Sequence, residues 1–219
     1  SVNEKNFLST SNNNSPLEES IILSDCNDLE SLRKELDAFE GCSLKKTATN
    51  LVFSDGDPNA SLMVIGEAPG AEEDRAGKPF VGPAGQLLDK MLKSIGLNRA
   101  DVYITNIVPW RPPGNRPPSQ NEIELCLPFI LKQIELVAPN FLLLLGGVSS
   151  KSILNSPEGI TKIRGKWFNY VYKNNENVTK EILTMPTFHP SYLLRSPIKK
   201  RESWEDLLSL KDKLIERSS

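Results

Sequence analysis

The sequence predicts a single α/β domain built around a mainly parallel sheet. Four short apolar runs recur along the chain, and stretches of helical periodicity lie between them. Strands that alternate with helices are typical of parallel sheets, because each helix carries the chain back to the start of the next strand. The 219 residues are enough for one such core, and 38% hydrophobic with 25% charged residues is ordinary for a globular protein.

The predicted elements follow one another in a regular order. The apolar runs that predict buried strands are residues 61–66, 102–108, 141–146 and 182–189. Apolar residues at helical spacing predict helices that begin near residues 29, 84, 119, 148 and 203. Ser119, with Glu122 three residues later, predicts a capping box at the third of these helices. Residues 166–185 predict a late hairpin with several asparagines in its turn.

The composition limits where the protein works and what holds it together. The 26 basic and 28 acidic side chains give a net charge of -2, so any contact with nucleic acid requires a local basic patch. Three scattered cysteines do not form the even framework of a secreted, disulfide-bonded protein. The sequence has neither a membrane-length apolar run nor the pattern of a signal peptide. We therefore expect a cytoplasmic protein, in the bacterial cytosol or nucleoid, with a disordered tail at residues 1–24 and a folded domain at residues 25–219.

Polar loops rich in glycine and proline follow all four predicted core strands. They read GEAPG, TNIVPWRPPGNR, LGG and HPSYLLR. The carboxyl ends of parallel strands meet at one edge of a sheet, where α/β proteins bind their ligands. The sequence therefore predicts a functional site at this edge.

Three residues in these loops suit the binding of a planar ligand, although each also has an ordinary structural interpretation. Phe80, held between Pro79 and Gly82, could stack on a planar ring or could simply anchor its loop. Asn106 could read the edge of a pyrimidine with its paired donor and acceptor, or could form a turn. His189, the only histidine, could donate a hydrogen bond to a leaving group or could be structural.

Three long motifs, VIGEAPGAEEDRAGKPFVGPAGQLLDKML, VYITNIVPWRPPGNRPP and TFHPSYLLR, occur in order along the chain. Together they resemble the uracil-DNA glycosylase superfamily, and most closely its family 4, from about Leu29 to the last helix. The resemblance implies a three-layer domain with a central, parallel, four-stranded sheet flanked by helices. It also implies an enzyme of base-excision repair that flips uracil out of DNA and hydrolyses its N-glycosidic bond, leaving an abasic site.

The resemblance assigns roles to individual residues. Phe80 would stack on uracil, Asn106 would read its O4 and N3–H, and His189 would donate to O2. Glu67 and Glu73 would be the acidic residues of the first motif. Ala68 stands where another branch of the superfamily carries a water-activating aspartate, and Glu73 is favoured for that role here. The backbone around the base would come from the end of the first strand and its loop: Gly66, Ala68, Pro69 and Gly70. The residues expected to contact DNA are Ser191, Arg195, Arg111, Arg116 and Leu193, the last as a wedge. The adjacent Leu193 and Leu194 could instead both be core residues.

The chain departs from family 4 at the residues that would bind metal. That family carries a [4Fe-4S] cluster on four cysteines, of which Cys42 and Cys126 match two and Phe39 and Trp110 replace two. Cys26 lies too far upstream to substitute, so we expect no metal and no cofactor. We expect a monomer that acts on uracil-containing DNA, away from membranes, together with downstream base-excision repair proteins. The alternative is a non-catalytic binder of uracil-containing DNA or nucleotides that retains the pocket.

Overall fold

The computed structural model describes Leu23, residues 25–174 and residues 176–218. The predicted tail therefore lies outside the described residues, except for Leu23, which is buried. Among the described residues, no helix is both long enough and apolar enough to cross a membrane.

A six-stranded sheet forms the centre of the described structure. Its strands are β1 (Asp55–Gly56), β2 (Leu62–Gly66), β3 (Tyr103–Asn106), β4 (Phe141–Leu145), β5 (Phe168–Lys173) and β6 (Thr179–Thr187). They lie in the order β1-β3-β2-β4-β6-β5. The four central strands are parallel, which confirms the predicted parallel core, and β1 and β5 add an antiparallel strand at each edge. The β5–β6 pair is the predicted hairpin.

Helices cover both faces of the sheet, which explains why its central strands carry continuous apolar runs. The helices are α1 (Leu29–Ala38), α2 (Ala71–Ala76), α3 (Pro83–Ser94), α4 (Gln120–Val137), α5 (Gly147–Leu154), α6 (Ile160–Ile163), α7 (Pro190–Arg195) and α8 (Lys200–Ser218). Side chains of α1, α4 and α5 pack on one face, and those of α3, α7 and α8 pack on the other. All residues of β2, β3 and β4 are buried. The three-layer arrangement is therefore confirmed.

Two local signals position the elements near the predicted site. The Ser119 side chain caps α4, and the Glu122 side chain returns to the Ser119 N–H, so the predicted capping box is confirmed. The pairing of Gly66 with Asn106 and of Leu145 with Thr187 brings the carboxyl ends of the parallel strands to one edge. The loops that follow these strands therefore meet there.

Candidate active site

A cavity of about 530 Å³ opens at the carboxyl edge of the sheet. Eleven of the predicted site residues line it: Glu67, Ala68, Pro69, Gly70, Glu73, Phe80, Asn106, Arg116, His189, Ser191 and Arg195. Five further lining residues did not stand out in the sequence: Ala84, Pro112, Asn115, Pro117 and Tyr192. Of these, Pro112, Asn115 and Tyr192 lie inside the predicted loops, and only their place in those loops could have pointed to them.

Asn106 is the most informative side chain in the cavity. It is 4% exposed. Among the described residues, its Oδ1 is the one buried side-chain nitrogen or oxygen atom without a hydrogen bond. Gly66 makes room for it, because a Cβ at position 66 would lie 2.4 Å from both Asn106 Oδ1 and the Phe80 ring. A buried polar atom without a partner costs about 1–3 kcal/mol, so native proteins rarely retain one without a function. The cavity therefore contains an acceptor that a ligand could satisfy.

Phe80 forms one wall of the cavity in a strained backbone conformation. Its φ is 54°, in the left-handed region that bulky residues avoid. Its ring centroid lies 5.6 Å from that of the His189 imidazole, with 33° between the two planes. A Cβ at Gly85 would lie 1.8 Å from the Phe80 carbonyl oxygen, so α3 approaches this backbone closely only because residue 85 is glycine.

His189 is fixed in one orientation at the start of α7. Its Nδ1 accepts a hydrogen bond from the Ser191 backbone N–H at 3.1 Å, so in the neutral ring the proton lies on Nε2. Burial lowers the pKa of His189 to about 4, the Arg195 charge adds to this effect, and Glu73 opposes it. At neutral pH the imidazole is therefore an uncharged Nε2–H donor at the cavity wall.

The two glutamates of the first motif lie in different environments. Glu73 accepts backbone N–H bonds from Gly70 at 3.1 Å, Val81 at 2.9 Å and Gly82 at 2.8 Å. Its carboxylate therefore joins the loop after β2 to the Phe80 loop. Burial raises the pKa of Glu67, and no hydrogen bond from a described residue offsets this effect. Glu67 is thus the cavity carboxylate with free acceptor capacity.

The predicted DNA-contacting residues divide into two groups. Arg195 is exposed at the cavity mouth, and Ser191 lies beside it. Arg116 also lines the cavity, but its guanidinium forks onto Glu122 at 2.7 and 2.8 Å. Arg111 does not line the cavity, and its Nε donates to Asn115 Oδ1 at 2.7 Å.

The prediction that Leu193 is an exposed wedge is wrong. Leu193 is 1% exposed and packs in the core on the face covered by α3 and α8, whereas Leu194 is 43% exposed. Leu194 lines a second opening, of about 380 Å³, which shares Gly70, Glu73, Ser191 and Arg195 with the cavity. In a helix, adjacent residues point about 100° apart, and in α7 this turns Leu193 towards the core and Leu194 towards solvent.

The region that matches the family's cluster site is filled by side chains. Cys42 and Cys126 are buried, and a hydrogen bond between their thiols lowers the pKa of Cys42 to about 7 and raises that of Cys126. Trp110 is 2% exposed, and the Phe39 ring lies 5.1 Å from the Phe129 ring. Among the described residues, no three His, Cys, Asp or Glu side chains are grouped to bind a metal. Two thiols and two aromatic rings do not fit a cluster that needs four ligands.

Comparisons with known proteins identify the family of the chain. Residues 53–208 match the model of the uracil DNA glycosylase superfamily. The chain is 41% identical to the type-4 uracil-DNA glycosylase of Sulfurisphaera tokodaii over 192 residues, which cover 85% of each chain. It is 40% identical to that of Saccharolobus solfataricus over 194 residues, which cover 85% of this chain and 86% of the relative. A third relative, the type-4 uracil-DNA glycosylase of Pyrobaculum aerophilum, is 37% identical, with 82% of this chain and 91% of its own length covered. The chain belongs to the uracil DNA glycosylase superfamily.

Proposed function

We propose that the cavity receives a uracil flipped out of DNA and that the chain hydrolyses the bond between this base and its deoxyribose. The protein is a uracil-DNA glycosylase, a hydrolase of N-glycosyl bonds in DNA repair, and its substrate is uracil-containing DNA. The observation that carries the assignment of the site is the unpaired, buried Oδ1 of Asn106, a residue that lines the cavity together with Phe80 and His189. A uracil edge supplies the N3–H donor that this atom lacks.

Recognition of uracil combines an edge contact with a face contact. Asn106 Oδ1 accepts from N3–H of the base, and its Nδ2 donates to O4. Cytosine presents an amino group in place of O4 and has no hydrogen on N3, so both contacts fail. Phe80 stacks on the face of the base, which is worth about 1–3 kcal/mol for a nucleobase on an aromatic ring.

Hydrolysis needs help at both ends of the breaking bond. Water oxygen bonds to C1′, the C1′–N1 bond breaks, and its electron pair leaves with the uracil. The Nε2–H of His189 donates to O2 as the negative charge develops there, which stabilises the transition state more than the bound substrate. The water proton passes to a carboxylate. We assign this step to Glu67 rather than Glu73, because the oxygens of Glu73 already accept three backbone N–H groups.

The cavity mouth suits the DNA strand that carries the flipped nucleotide. The exposed guanidinium of Arg195 and the hydroxyl of Ser191 are available for phosphate groups beside the flipped nucleotide. Leu194 is exposed at the same mouth, whereas Leu193 is buried, so Leu194 is the residue that would act as the wedge. Flipping costs a few kcal/mol, and a mismatched U·G pair lowers this cost.

The chain is further proposed to work without an iron–sulfur cluster, as a cytoplasmic monomer. The first point is supported by the hydrophobic cluster that contains Cys42, Trp110 and Cys126, with Phe39 packed against it. In the sequence, the two rings stand at positions where the family carries cluster ligands. Its product is an abasic site, and repair is completed only when other base-excision proteins process that site.

Release of free uracil tests this function against the alternative of a non-catalytic binder. Duplexes that differ only in carrying U, T or C at one position are incubated with the protein, and the strands are then cleaved by alkali. A glycosylase yields cleaved strands and free uracil from the U duplex alone. A binder retains the U duplex selectively but releases no base, and that outcome would overturn the proposal.

A further inference from the structure

The strained backbone of Phe80 needs support from outside the cavity. A bulky residue with φ of 54° keeps this conformation only if its surroundings fix it. On the cavity side, Glu73 holds the N–H groups of Val81 and Gly82, the two residues that follow Phe80. A carboxylate cannot donate to carbonyl groups, so those of Pro79 and Phe80 require a separate partner.

Arg99 supplies that partner from the turn before β3. Its Nη1 donates to the Phe80 carbonyl oxygen at 2.9 Å, and its Nη2 donates to the Pro79 carbonyl oxygen. One planar guanidinium therefore holds two consecutive carbonyl groups. The contact is made with the backbone of the ring-bearing residue itself, and Arg99 is not among the residues that line the cavity.

Two carboxylates orient Arg99 for this task. Its Nε donates to Asp55 Oδ2 at 2.6 Å, and its Nη1 lies 3.2 Å from Asp89 Oδ1. Burial works to raise the pKa of Asp55, but the hydrogen bond and charge of Arg99 outweigh it, so this pKa lies below its usual range. The Arg99 side chain is 23% exposed, so these groups are partly shielded from water. A lysine could keep the charge but not the fork of donors.

We propose that Arg99 is a positioning residue that holds Phe80 where its ring can stack on uracil. Arg99 does not line the cavity and acts on the base only through the Phe80 backbone. This inference rests on the proposed stacking role of Phe80. Arg99 lies outside the three sequence motifs, and its contact with the Phe80 backbone would support the specificity of the site.

A double-mutant cycle between Arg99→Lys and Phe80→Ala tests the proposal. Single-turnover kcat/KM on a U·G duplex is measured for the parent, both single variants and the double variant, well below their melting temperatures. Arg99→Lys is expected to lower kcat/KM about tenfold in the parent and less than about twofold in the Phe80→Ala background, because contacting residues that act as a unit are not additive. The affinity for an abasic product duplex, which has no base to stack, is expected to stay within about twofold of the parent.

Arg164→Lys is the matched control. Arg164 is similarly buried, at 17% exposure. Its guanidinium forks onto Asp206 of α8 and lies over the Phe188 ring. Its substitution is expected to lower the melting temperature, and any loss of activity should be the same with or without the Phe80 ring. This behaviour is what a merely structural role of Arg99 would also produce.

The outcomes separate the inference from the proposed function. Normal activity of Phe80→Ala would overturn both the stacking role and the inference. A strong loss in Phe80→Ala, combined with an additive or absent effect of Arg99→Lys, would overturn the inference alone.

If Arg99→Lys does not fold, Asp89→Asn provides the second probe, since this half-exposed carboxylate contacts the same Nη1. Asp89→Asn is expected to lower kcat/KM less than Arg99→Lys does, and this loss should vanish in the Phe80→Ala background. A loss of the same size in both backgrounds would overturn the inference.

Discussion

Replacing Asn106 by leucine is expected to move stability and activity in opposite directions. Leucine has nearly the same shape as asparagine but lacks the Oδ1 atom that is buried without a partner in this structure. An unpaired buried acceptor costs about 1–3 kcal/mol, and the substitution removes that cost. For a domain of this size, each recovered kcal/mol corresponds to a rise in melting temperature of about 2–4 °C.

The same substitution removes both contacts to the edge of uracil. Two hydrogen bonds contribute about 1–1.5 kcal/mol each, so the transition state should lose about 2–3 kcal/mol, or about 30- to 150-fold in kcat/KM. The apolar leucine side chain offers neither a donor nor an acceptor to replace the lost contacts. Asn106→Asp serves as the companion variant, because its carboxylate can accept from the amino group of cytosine but cannot donate to O4 of uracil.

Thermal unfolding and single-turnover cleavage of U and C duplexes together check this prediction. Asn106→Leu should melt at or above the parent temperature while cleaving uracil far more slowly. Asn106→Asp should lose activity on uracil and gain some on cytosine. A leucine variant that melts well below the parent and still cleaves uracil normally would identify Asn106 as a structural residue, and the reasoning from its orphaned oxygen would be refuted.

Three further predictions concern the ring, the ionisable groups and iron. Phe80→Ala should lose about 1–3 kcal/mol of transition-state stabilisation, measured as a 5- to 150-fold drop in kcat/KM on a U·G duplex, and an unchanged value would make Phe80 a core residue. Because burial lowers the pKa of His189 to about 4, the unfolded chain takes up a proton before the folded one does. The melting temperature should therefore fall as the pH falls from about 6.5 towards 4, and kcat should show no inflection near pH 6.5. Protein purified without oxygen should contain no iron and lack broad visible absorbance, whereas about four irons per chain would indicate a cluster with unusual ligands.

The sequence predicted the centre of the fold because buried parallel strands leave a clear pattern. Residues 62–66 and 141–145 are continuous apolar runs because helices cover both faces of the sheet. The parallel arrangement then placed Asn106 and His189 at one edge without further information. The edge strand β1 escaped prediction because two residues, Asp55 and Gly56, are too short to carry any periodicity.

Orientation within short segments could not be predicted from the sequence. Leu193 and Leu194 are chemically identical neighbours, and the six-residue helix α7 alone decides which of them faces the core. Glu67 and Glu73 are likewise equivalent in sequence, and backbone N–H groups brought from Val81 and Gly82 distinguish them. Arg99 gave no signal because the groups that it holds in the Phe80 loop are backbone carbonyl groups, which every residue carries.

The role of His189 in stabilising the departing uracil is the central claim about mechanism. The most direct test compares single-turnover uracil release by His189→Ala and by the parent, together with their affinity for a duplex that carries a non-cleavable uracil analogue. A donor that acts only in the transition state should cost about 10²–10³-fold in kcat, with little change in affinity for the analogue. A well-folded His189→Ala variant that releases uracil at nearly the parent rate would contradict the account.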